Sequence, residues 1–381
     1  MSTTAPRTTT SRATPGTTGT TGTTRAARRR STAAAAVLAA GTLVLAGCGG
    51  TDGPAAADDT IGVSLITKTD SNPFFVAMRE GAQEAAAEEG VDLTLAAGTS
   101  DADEAGQVEA VEDAVARGDA GILITPNGPG VNQAIEDARA AGLLVLALDT
   151  PPDPADVVDA TFATDNVRAG ELIGEYAAAR LDGQPAVIAM LDLLDDVDVS
   201  VDWQRDQGFL AGMGIDTADP ETKGDEAPTG AYTGGAGGDY TIVCNEPTQG
   251  AEDGGRTAME NCLRRDPSVN VVYTVNELSA VGAQQALAAA GRDDVVVVSV
   301  DGGCDGVSAV EDGLIDATAQ QYPVEMARLG VAAVADLARG GEAPEPTEGK
   351  SFVDTGVQLV AGTPVDGVDA LDVAEGTELC W

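Results

Sequence analysis

The chain has 381 residues, and its 62 acidic and 21 basic side chains give a formal net charge of −41. Such an excess of negative charge repels nucleic acids and anionic lipid surfaces, so neither is expected as a direct partner. The sequence contains no His and no Walker A loop, and no GxGxxG motif follows its first predicted strand. These features argue against His-dependent catalysis and against the common nucleotide-binding sites.

The first 47 residues have the features of an export signal. Arg28-Arg29-Arg30 precedes an apolar stretch of 14 residues from Ala33 to Ala46, whereas a transmembrane helix needs about 20 apolar residues. The tetrad Leu45-Ala46-Gly47-Cys48 resembles the bacterial lipobox, which implies that a lipid is attached to Cys48 and that residues 1–47 are removed. An ordinary signal peptide followed by a chance Cys is the alternative.

The predicted mature chain starts with a tether over residues 48–58, where Gly49-Gly50-Thr51-Asp52 is typical of a flexible linker. Removal of residues 1–47, which hold six Arg and no acid, brings the net charge to −47. We therefore expect an acidic, exported protein that is held at the outer face of the cytoplasmic membrane only through its lipid.

Four cysteines remain after Cys48, and an even number in an oxidising compartment predicts two disulfides. Three pairings are possible. We favour Cys244 with Cys262, because they flank one strand-to-helix connection, and Cys304 with Cys380, which would fasten the last segment. A zinc site is the alternative, but the sequence has no His and no CxxC pair.

Apolar runs alternate with Ala-rich helical stretches from residue 59 to about 340. Strands are predicted at 61–67, 91–97, 121–125, 143–148, 186–191, 241–244, 269–274, 295–300 and 317–320, with helices from about 73, 102 and 130 and over 166–181 and 324–339. Continuous apolar strands with helical connections predict parallel sheets that are covered on both faces. Two such runs predict an α/β fold with two lobes.

Residues 216–239 interrupt this pattern. The segment is dense in Gly, Asp, Glu, Thr and Pro and shows no apolar periodicity. We interpret it as a surface loop, with a disordered insertion as the alternative.

Polar and aromatic side chains are concentrated just past the predicted strands, where ligands of open parallel sheets gather. These residues are Lys68, Asn72, Phe74, Phe75, Asp149, Thr150, Asn276, Asp301 and Gln321, with Arg205 at the start of a helical segment. Such a set suits a sugar, because aromatic rings pack against its C–H face while Asp, Asn, Gln and Arg match adjacent hydroxyls. The alternatives are that the phenylalanines belong to the core and that Asp149, Asn276 and Asp301 cap helices.

Several segments in chain order resemble the ribose- and fructose-type substrate-binding proteins of sugar ABC transporters. They are Asn72-Pro73-Phe74-Phe75, Ile122-Leu123-Ile124-Thr125-Pro126, Ala147-Leu148-Asp149-Thr150-Pro151, Ala163-Thr164-Asp165-Asn166, Val300-Asp301-Gly302-Gly303-Cys304 and Ala319-Gln320-Gln321-Tyr322-Pro323. The segments 254–261 and Cys380-Trp381 are most similar to the fructose-binding branch. The resemblance runs from about residue 59 to the end of the sequence.

The resemblance implies a type I periplasmic-binding-protein fold with a ligand between two walls. In the first-lobe wall it places Asn72, Phe74, Phe75 and Asp149, and in the second-lobe wall and hinge side Arg205, Asn276, Asp301 and Gln321. Three positions depart from the ribose pattern, which has Arg at Thr150, a small Ser at Lys68 and Phe near Gln249. We therefore include Lys68, Thr150 and Gln249 in the predicted site and favour fructose or another hexose over ribose.

The family pattern also implies several crossings between lobes, and hence a hinge. It assigns residues 59–163 and 323–350 to the N-terminal lobe and residues 164–322 and 351–381 to the C-terminal lobe. The implied function is capture of a monosaccharide by a monomer, without a cofactor or enzymatic activity, for delivery to an ABC transporter permease. A sugar sensor that signals to a membrane partner is the alternative.

Overall fold

The structure is a computed structural model and describes residues 61–195, 197 and 199–381. The predicted export signal, Cys48 and the tether over 48–58 lie outside these residues. Within the described part of the chain, no helix combines the length and the apolar character needed to cross a membrane.

The described residues form two mainly parallel sheets flanked by helices. The strands are β1 (Ile61–Thr67), β2 (Val91–Ala97), β3 (Gly121–Ile124), β4 (Leu144–Leu148), β5 (Ala160–Ala163), β6 (Ala186–Asp192), β7 (Thr229–Tyr232), β8 (Gly238–Pro247), β9 (Val271–Thr274), β10 (Val296–Asp301), β11 (Ala317–Gln320), β12 (Val353–Asp354) and β13 (Gln358–Ala361). The helices are α1 (Pro73–Glu89), α2 (Glu104–Arg117), α3 (Asn132–Ala140), α4 (Asn166–Leu181), α5 (Ser200–Met213), α6 (Glu252–Arg265), α7 (Glu277–Ala290), α8 (Cys304–Glu311), α9 (Pro323–Ala338) and α10 (Val373–Leu379).

The first sheet has the strand order β12-β5-β4-β3-β1-β2, and the second has the order β13-β11-β10-β9-β6-β8-β7. Among the pairings of the described strands, only β7 with β8 and β11 with β13 are antiparallel. This arrangement confirms the predicted α/β class with one parallel sheet in each of two lobes. We call the two sheets, with the helices packed on them, the first and the second lobe.

Helices cover both faces of each sheet because successive strand side chains point to opposite faces. In the first lobe, Leu65 packs with residues of α1 and α9, whereas the next residue, Ile66, packs with α2 and α3. In the second lobe, Met190 packs with α4 and α5, and Leu191 packs with α6 and α7. The core therefore consists of four apolar layers, and the strand ends are left free to form a site.

The start of α1 illustrates how local sequence signals position the site. The Asn72 side chain accepts a hydrogen bond from the Phe74 N–H. Pro73 occupies the first turn, where a backbone N–H would have no acceptor within the helix, so Pro costs no hydrogen bond there. Gly90 ends the helix in a left-handed conformation (φ 66°). The cap thus determines where Phe74 and Phe75 enter the space beyond β1.

The chain passes between the sheets three times, after β5, after β11 and after β12. Val353 and Asp354 pair with Phe162 and Ala163 in the first sheet. The lobe boundary predicted between residues 350 and 351 is therefore too early. A two-residue edge strand has too little apolar pattern for its lobe to be recognised from sequence.

The prediction of a loop over residues 216–239 is wrong for its second half. Residues 229–232 form β7, which pairs with β8 as an antiparallel hairpin at the sheet edge, and β8 extends beyond the predicted 241–244. Three of the four β7 residues are exposed and only Tyr232 is buried. An exposed edge strand lacks the apolar alternation that would have identified it.

Candidate functional site

The carboxyl ends of strands from both sheets meet at one cleft. Its lining residues are Lys68, Asn72, Phe74, Phe75, Asp101, Asp149, Leu193, Val201, Arg205, Val275, Asn276 and Asp301. The cavity among these atoms is about 30 Å³, close to the volume that one water molecule occupies in the liquid, so the walls of the cleft lie close together. Eight of the eleven residues predicted to bind a ligand are in this set, and the other three lie beside it.

Two phenylalanines form the aromatic part of the wall. The Phe74 and Phe75 rings meet edge to face, with centroids 5.3 Å apart, and each side chain is only 4% exposed. Both also belong to the core between α1 and the first sheet. Phe74 and Phe75 therefore line the cleft and also belong to the core, so both interpretations of the sequence apply.

Asp149 follows β4 and carries one of the two first-lobe carboxylates of the cleft. Its backbone is left-handed (φ 64°), its N–H donates to the Phe162 carbonyl, and its Oδ2 accepts a bond of 2.7 Å from the Thr150 hydroxyl. Thr150 itself lines a neighbouring groove with Pro151. Thr150 thus orients the carboxylate instead of forming part of the cleft wall.

Arg205 connects several parts of the site. Its Nε donates to Asn166 Oδ1 at 2.7 Å, its Nη1 donates to the Val275 carbonyl at 2.9 Å, and the same Nη1 lies 3.8 Å from Asp301 Oδ1. Helix α5 begins at Ser200, so Arg205 lies in the second turn and not at the helix start as predicted. This position directs the guanidinium to the cleft.

Asn276 has two roles. Its Oδ1 accepts the Ser279 N–H and caps α7, while its Nδ2 donates to the Gly250 carbonyl at 3.0 Å. The adjacent Gln249 has a left-handed backbone (φ 56°) and lines a side groove together with Asp101. Gln249 is therefore at the rim of the cleft.

Asp301 ends β10 with a backbone φ of 140°, a conformation that L-residues rarely adopt. Its Oδ1 accepts a bond of 3.0 Å from Gln321 Nε2, so Gln321 supports the carboxylate from behind. The N-cap of α8 is Gly303, so Asp301 is not its helix cap. Burial raises the pKa of Asp301 to about 7, although the Arg205 charge acts in the opposite direction.

Glu277 holds the turn after Asp301 and was missed by sequence reasoning. Its carboxylate accepts the N–H groups of Gly302 and Gly303 at 2.8 and 3.2 Å and the Thr318 hydroxyl at 2.8 Å. Burial, followed by the charge of Asp301, raises its pKa to about 8. Glu277 is the first residue of α7, and acidic residues are common in the first turn of a helix. Its position in the sequence therefore did not predict a role in the site.

Four lining residues were also missed. Asp101, Leu193 and Val275 follow β2, β6 and β9, so the strand-end rule points to them, but only Asp101 is polar. Val201 lies in the first turn of α5. Burial raises the pKa of Asp101, and the nearby Lys68 charge opposes this shift.

Behind the second-lobe wall lies a buried acid pair, Asp192 and Asp206. The two carboxyl groups lie close enough for each to affect the pKa of the other, and Asp192 Oδ1 and Asp206 Oδ2 have no hydrogen-bond partner among the described residues. We infer that the two carboxyl groups share a proton, which would give both atoms a partner. Burial, with the neighbouring carboxylates, raises the pKa of Asp192 to about 7 and that of Asp206 well above its ordinary value.

This pair predicts that the fold is more stable in mild acid. The folded pKa of Asp192 is raised from 3.8 to about 7, so the folded state binds its proton more tightly than the unfolded chain does. Stability is therefore present below pH 4 and is lost as the pH rises through about 7. We expect a melting temperature about 5 °C higher at pH 5 than at pH 8.

The matched variants for this prediction are Asp206→Asn, which removes one member of the pair, and Asp305→Asn, which removes an exposed carboxylate on α8. Thermal unfolding followed by circular dichroism should show a smaller pH difference for Asp206→Asn and an unchanged one for Asp305→Asn. Equal melting temperatures of the unmodified protein at the two pH values would contradict the shared proton.

A cleft between two parallel α/β sheets, lined by aromatic rings, carboxylates, an amide and a guanidinium, defines a two-lobed protein that binds a small polar molecule. The periplasmic binding protein domain family matches residues 61–342. The chain belongs to this family and has its type I fold. It is therefore a binding protein and not an enzyme, as predicted.

Curated relatives are import-binding proteins. The ribose import binding protein of Salmonella typhimurium is 32% identical over 289 residues, which are 76% of this chain and 87% of the relative. The D-apiose import binding protein of Actinobacillus succinogenes is 29% identical over 272 residues, covering 71% of this chain and 79% of the relative.

Solved structures have the same fold. An ABC transporter solute binding protein from Mycobacterium smegmatis with bound glycerol has a TM-score of 0.67 and 28% identity, and the match covers 84% of this chain and 97% of that one. An ABC transporter solute binding protein from Agrobacterium vitis with bound D-fucose has a TM-score of 0.69, covering 84% and 100% of the two chains. Its 23% identity supports the fold alone.

Proposed function

We propose that this chain captures a monosaccharide between its lobes and delivers it to an ABC importer. The observation that carries the proposal is the placement of the Asp149 and Asp301 carboxylates, Arg205 and Asn276 around the Phe74 ring in one cleft. Carboxylates accept bonds from adjacent hydroxyls, the guanidinium and amide donate to sugar oxygens, and the ring covers the C–H face.

The identity of the sugar is a finer proposal. The ribose and D-apiose import proteins support a small monosaccharide. Lys68 stands in the cleft where the ribose pattern has a small Ser, and it supplies a cationic donor to an additional oxygen. This difference favours fructose or another hexose over ribose.

Ligand screening tests the function. Thermal shift with D-fructose, D-ribose, D-allose, D-xylose, D-galactose and myo-inositol should give a raised melting temperature with at least one sugar, since a ligand at 100 times its dissociation constant stabilises the fold by about 2.7 kcal/mol. Calorimetric titration then gives the affinity. Failure of every sugar to bind, with an intact melting transition, would contradict a monosaccharide-binding function.

We further propose that the protein is exported and anchored through Cys48. The support is the basic and apolar leader with its lipobox-like tetrad and membership of a periplasmic binding family. Mass spectrometry of protein from the native host should show a mature chain that starts with diacylglycerol-modified Cys48. A mature start elsewhere, or an unmodified Cys48 in the membrane fraction, would rule out the anchor.

We also propose two disulfides in the mature chain. Cys244 and Cys262 have their Cα atoms 5.7 Å apart, and Cys304 and Cys380 have theirs 4.9 Å apart, both within the range that a disulfide spans. Thiol titration of the denatured, unreduced mature protein should find no free thiol. Peptide mapping distinguishes this pairing from the two others, and two reactive thiols per chain would contradict it.

The remaining proposals concern assembly. Apart from the later boundary near residue 354, we retain the two lobe assignments and the hinge between them. We also retain the monomeric state, because the proposed closure needs only one chain. Size-exclusion chromatography with light scattering should give the mass of one chain, with and without sugar.

A further inference from the structure

Trp381, the last residue of the sequence, contacts both lobes. Its ring meets the Phe74 ring of the first lobe edge to face, with centroids 5.4 Å apart. Its indole N–H donates to the carbonyl of Gln321, which follows β11 of the second lobe, at 2.9 Å. The indole thus joins the aromatic wall of the cleft to the strand end that supports Asp301.

Residues of the second lobe hold Trp381 in place. Its carbonyl accepts the Cys304 N–H at 3.1 Å, and the preceding Cys380 is paired with Cys304. A Cβ atom at Gly303 would lie 3.0 Å from the indole, closer than ordinary contact allows. Any larger residue at this position would therefore require the indole to shift by a few tenths of an ångström.

Phe74 is held from two sides. Phe75 contacts it at an interplanar angle of 90°, and Trp381 contacts it at 83°. Edge-to-face contacts are directional, because the positive ring edge faces the negative ring face. Phe75 belongs to the first lobe, whereas Trp381 is held by residues of the second lobe.

We propose that Trp381 is a positioning residue that orients the Phe74 ring against the sugar when the lobes close. The inference rests on the proposed function. Because Cys304 and Gln321, which hold Trp381, belong to the second lobe, we expect separation of the lobes to remove the indole from Phe74, so that the aromatic wall is complete in the closed arrangement.

Affinity measurements separate positioning from general stabilisation. Trp381→Ala should raise the dissociation constant at least tenfold in calorimetric titrations with D-fructose, D-ribose and D-allose as probes. Trp381→Phe, which keeps a ring edge, should restore it to within about threefold. Trp203→Phe changes the other tryptophan of the chain, which lines the neighbouring groove and not the cleft; it is the control and should match the unmodified protein. An unchanged dissociation constant for Trp381→Ala would overturn the proposal.

Fluorescence gives a second readout. In Trp203→Phe, Trp381 is the single tryptophan, because the chain contains two. A sugar that binds by calorimetry should shift its emission to shorter wavelength, with a midpoint at the same dissociation constant. An emission spectrum that stays constant while the sugar binds would contradict a contact made on closure.

A sugar-free experiment keeps this inference distinct from the proposed function. Melting temperatures of Phe74→Leu, Trp381→Ala and the double variant form a cycle that reports the ring contact directly. The double variant should lose less than the sum of the two single losses, and additive losses would overturn the contact. If no sugar binds the unmodified protein, the proposed function fails, and the cycle still tests the contact between the rings.

Discussion

Asp301→Asn should lower sugar affinity at least tenfold while leaving the protein folded. The carboxylate is buried at the cleft wall and accepts one hydrogen bond from Gln321. Its remaining lone pairs are available to accept hydrogen bonds from the ligand. A hydrogen bond to a charged group contributes roughly 1.5–3 kcal/mol, and 1.4 kcal/mol corresponds to a factor of ten. Asn has nearly the same shape and tolerates a positive φ. Calorimetric titration with the sugar identified by screening measures the change.

Asp305→Asn is the control, because Asp305 is an exposed acid four residues further along the chain. Its affinity should stay within about twofold of the unmodified protein. The melting temperature adds an independent check. The substitution leaves Arg205 without its carboxylate partner, but Arg205 keeps its bonds to Asn166 and Val275, so the melting temperature should fall less than it does in Arg205→Met. Unchanged affinity in Asp301→Asn would refute its assignment as a ligand residue.

Arg205→Met should have a still larger effect on both affinity and stability. The substitution removes the donor to Asn166 and Val275 and leaves Asp301 buried without its nearest cation. Loss of one partner of a buried ion pair costs about 3–5 kcal/mol. We expect at least a hundredfold weaker sugar binding and a melting temperature lower by several degrees.

Arg256→Met provides the comparison, since Arg256 forms an exposed pair with Asp253 on α6, and such pairs contribute only about 0–1 kcal/mol. Thermal unfolding and calorimetry on both variants give the two effects. Arg205→Lys keeps the charge but lacks the forked donors, so it should recover part of the stability and little of the affinity. A normal melting temperature for Arg205→Met would contradict the buried network.

The strand ends were the part of the site that sequence reasoning located best. Asp149 and Asp301 follow continuous apolar strands, and parallel topology brings the ends of such strands together. Asp101 obeys the same rule, but its strand is only partly buried and its loop is rich in other polar residues. Leu193 and Val275 obey it too, yet an apolar residue past a strand looks like the continuation of the core.

Other features depend on contacts between distant residues. Gln321 was predicted in the wall, whereas its amide supports Asp301 through a side-chain bond that spacing does not reveal. Glu277 reaches a turn 25 residues away. The last lobe crossing depends on two residues of strand pairing. In each case local propensity is compatible with several arrangements, and tertiary packing selects one.

The backbone beneath the two carboxylates limits how the recognition of this cleft can be changed. Asp149 and Asp301 have φ values of 64° and 140°, which few residue types other than Gly, Asn and Asp tolerate. A combinatorial library built to create a biosensor for a new analyte would lose most of its members at these two positions to misfolding. Lys68, Leu193 and Val201 have no such backbone constraint, so randomisation at these three positions samples new ligands while the scaffold is kept.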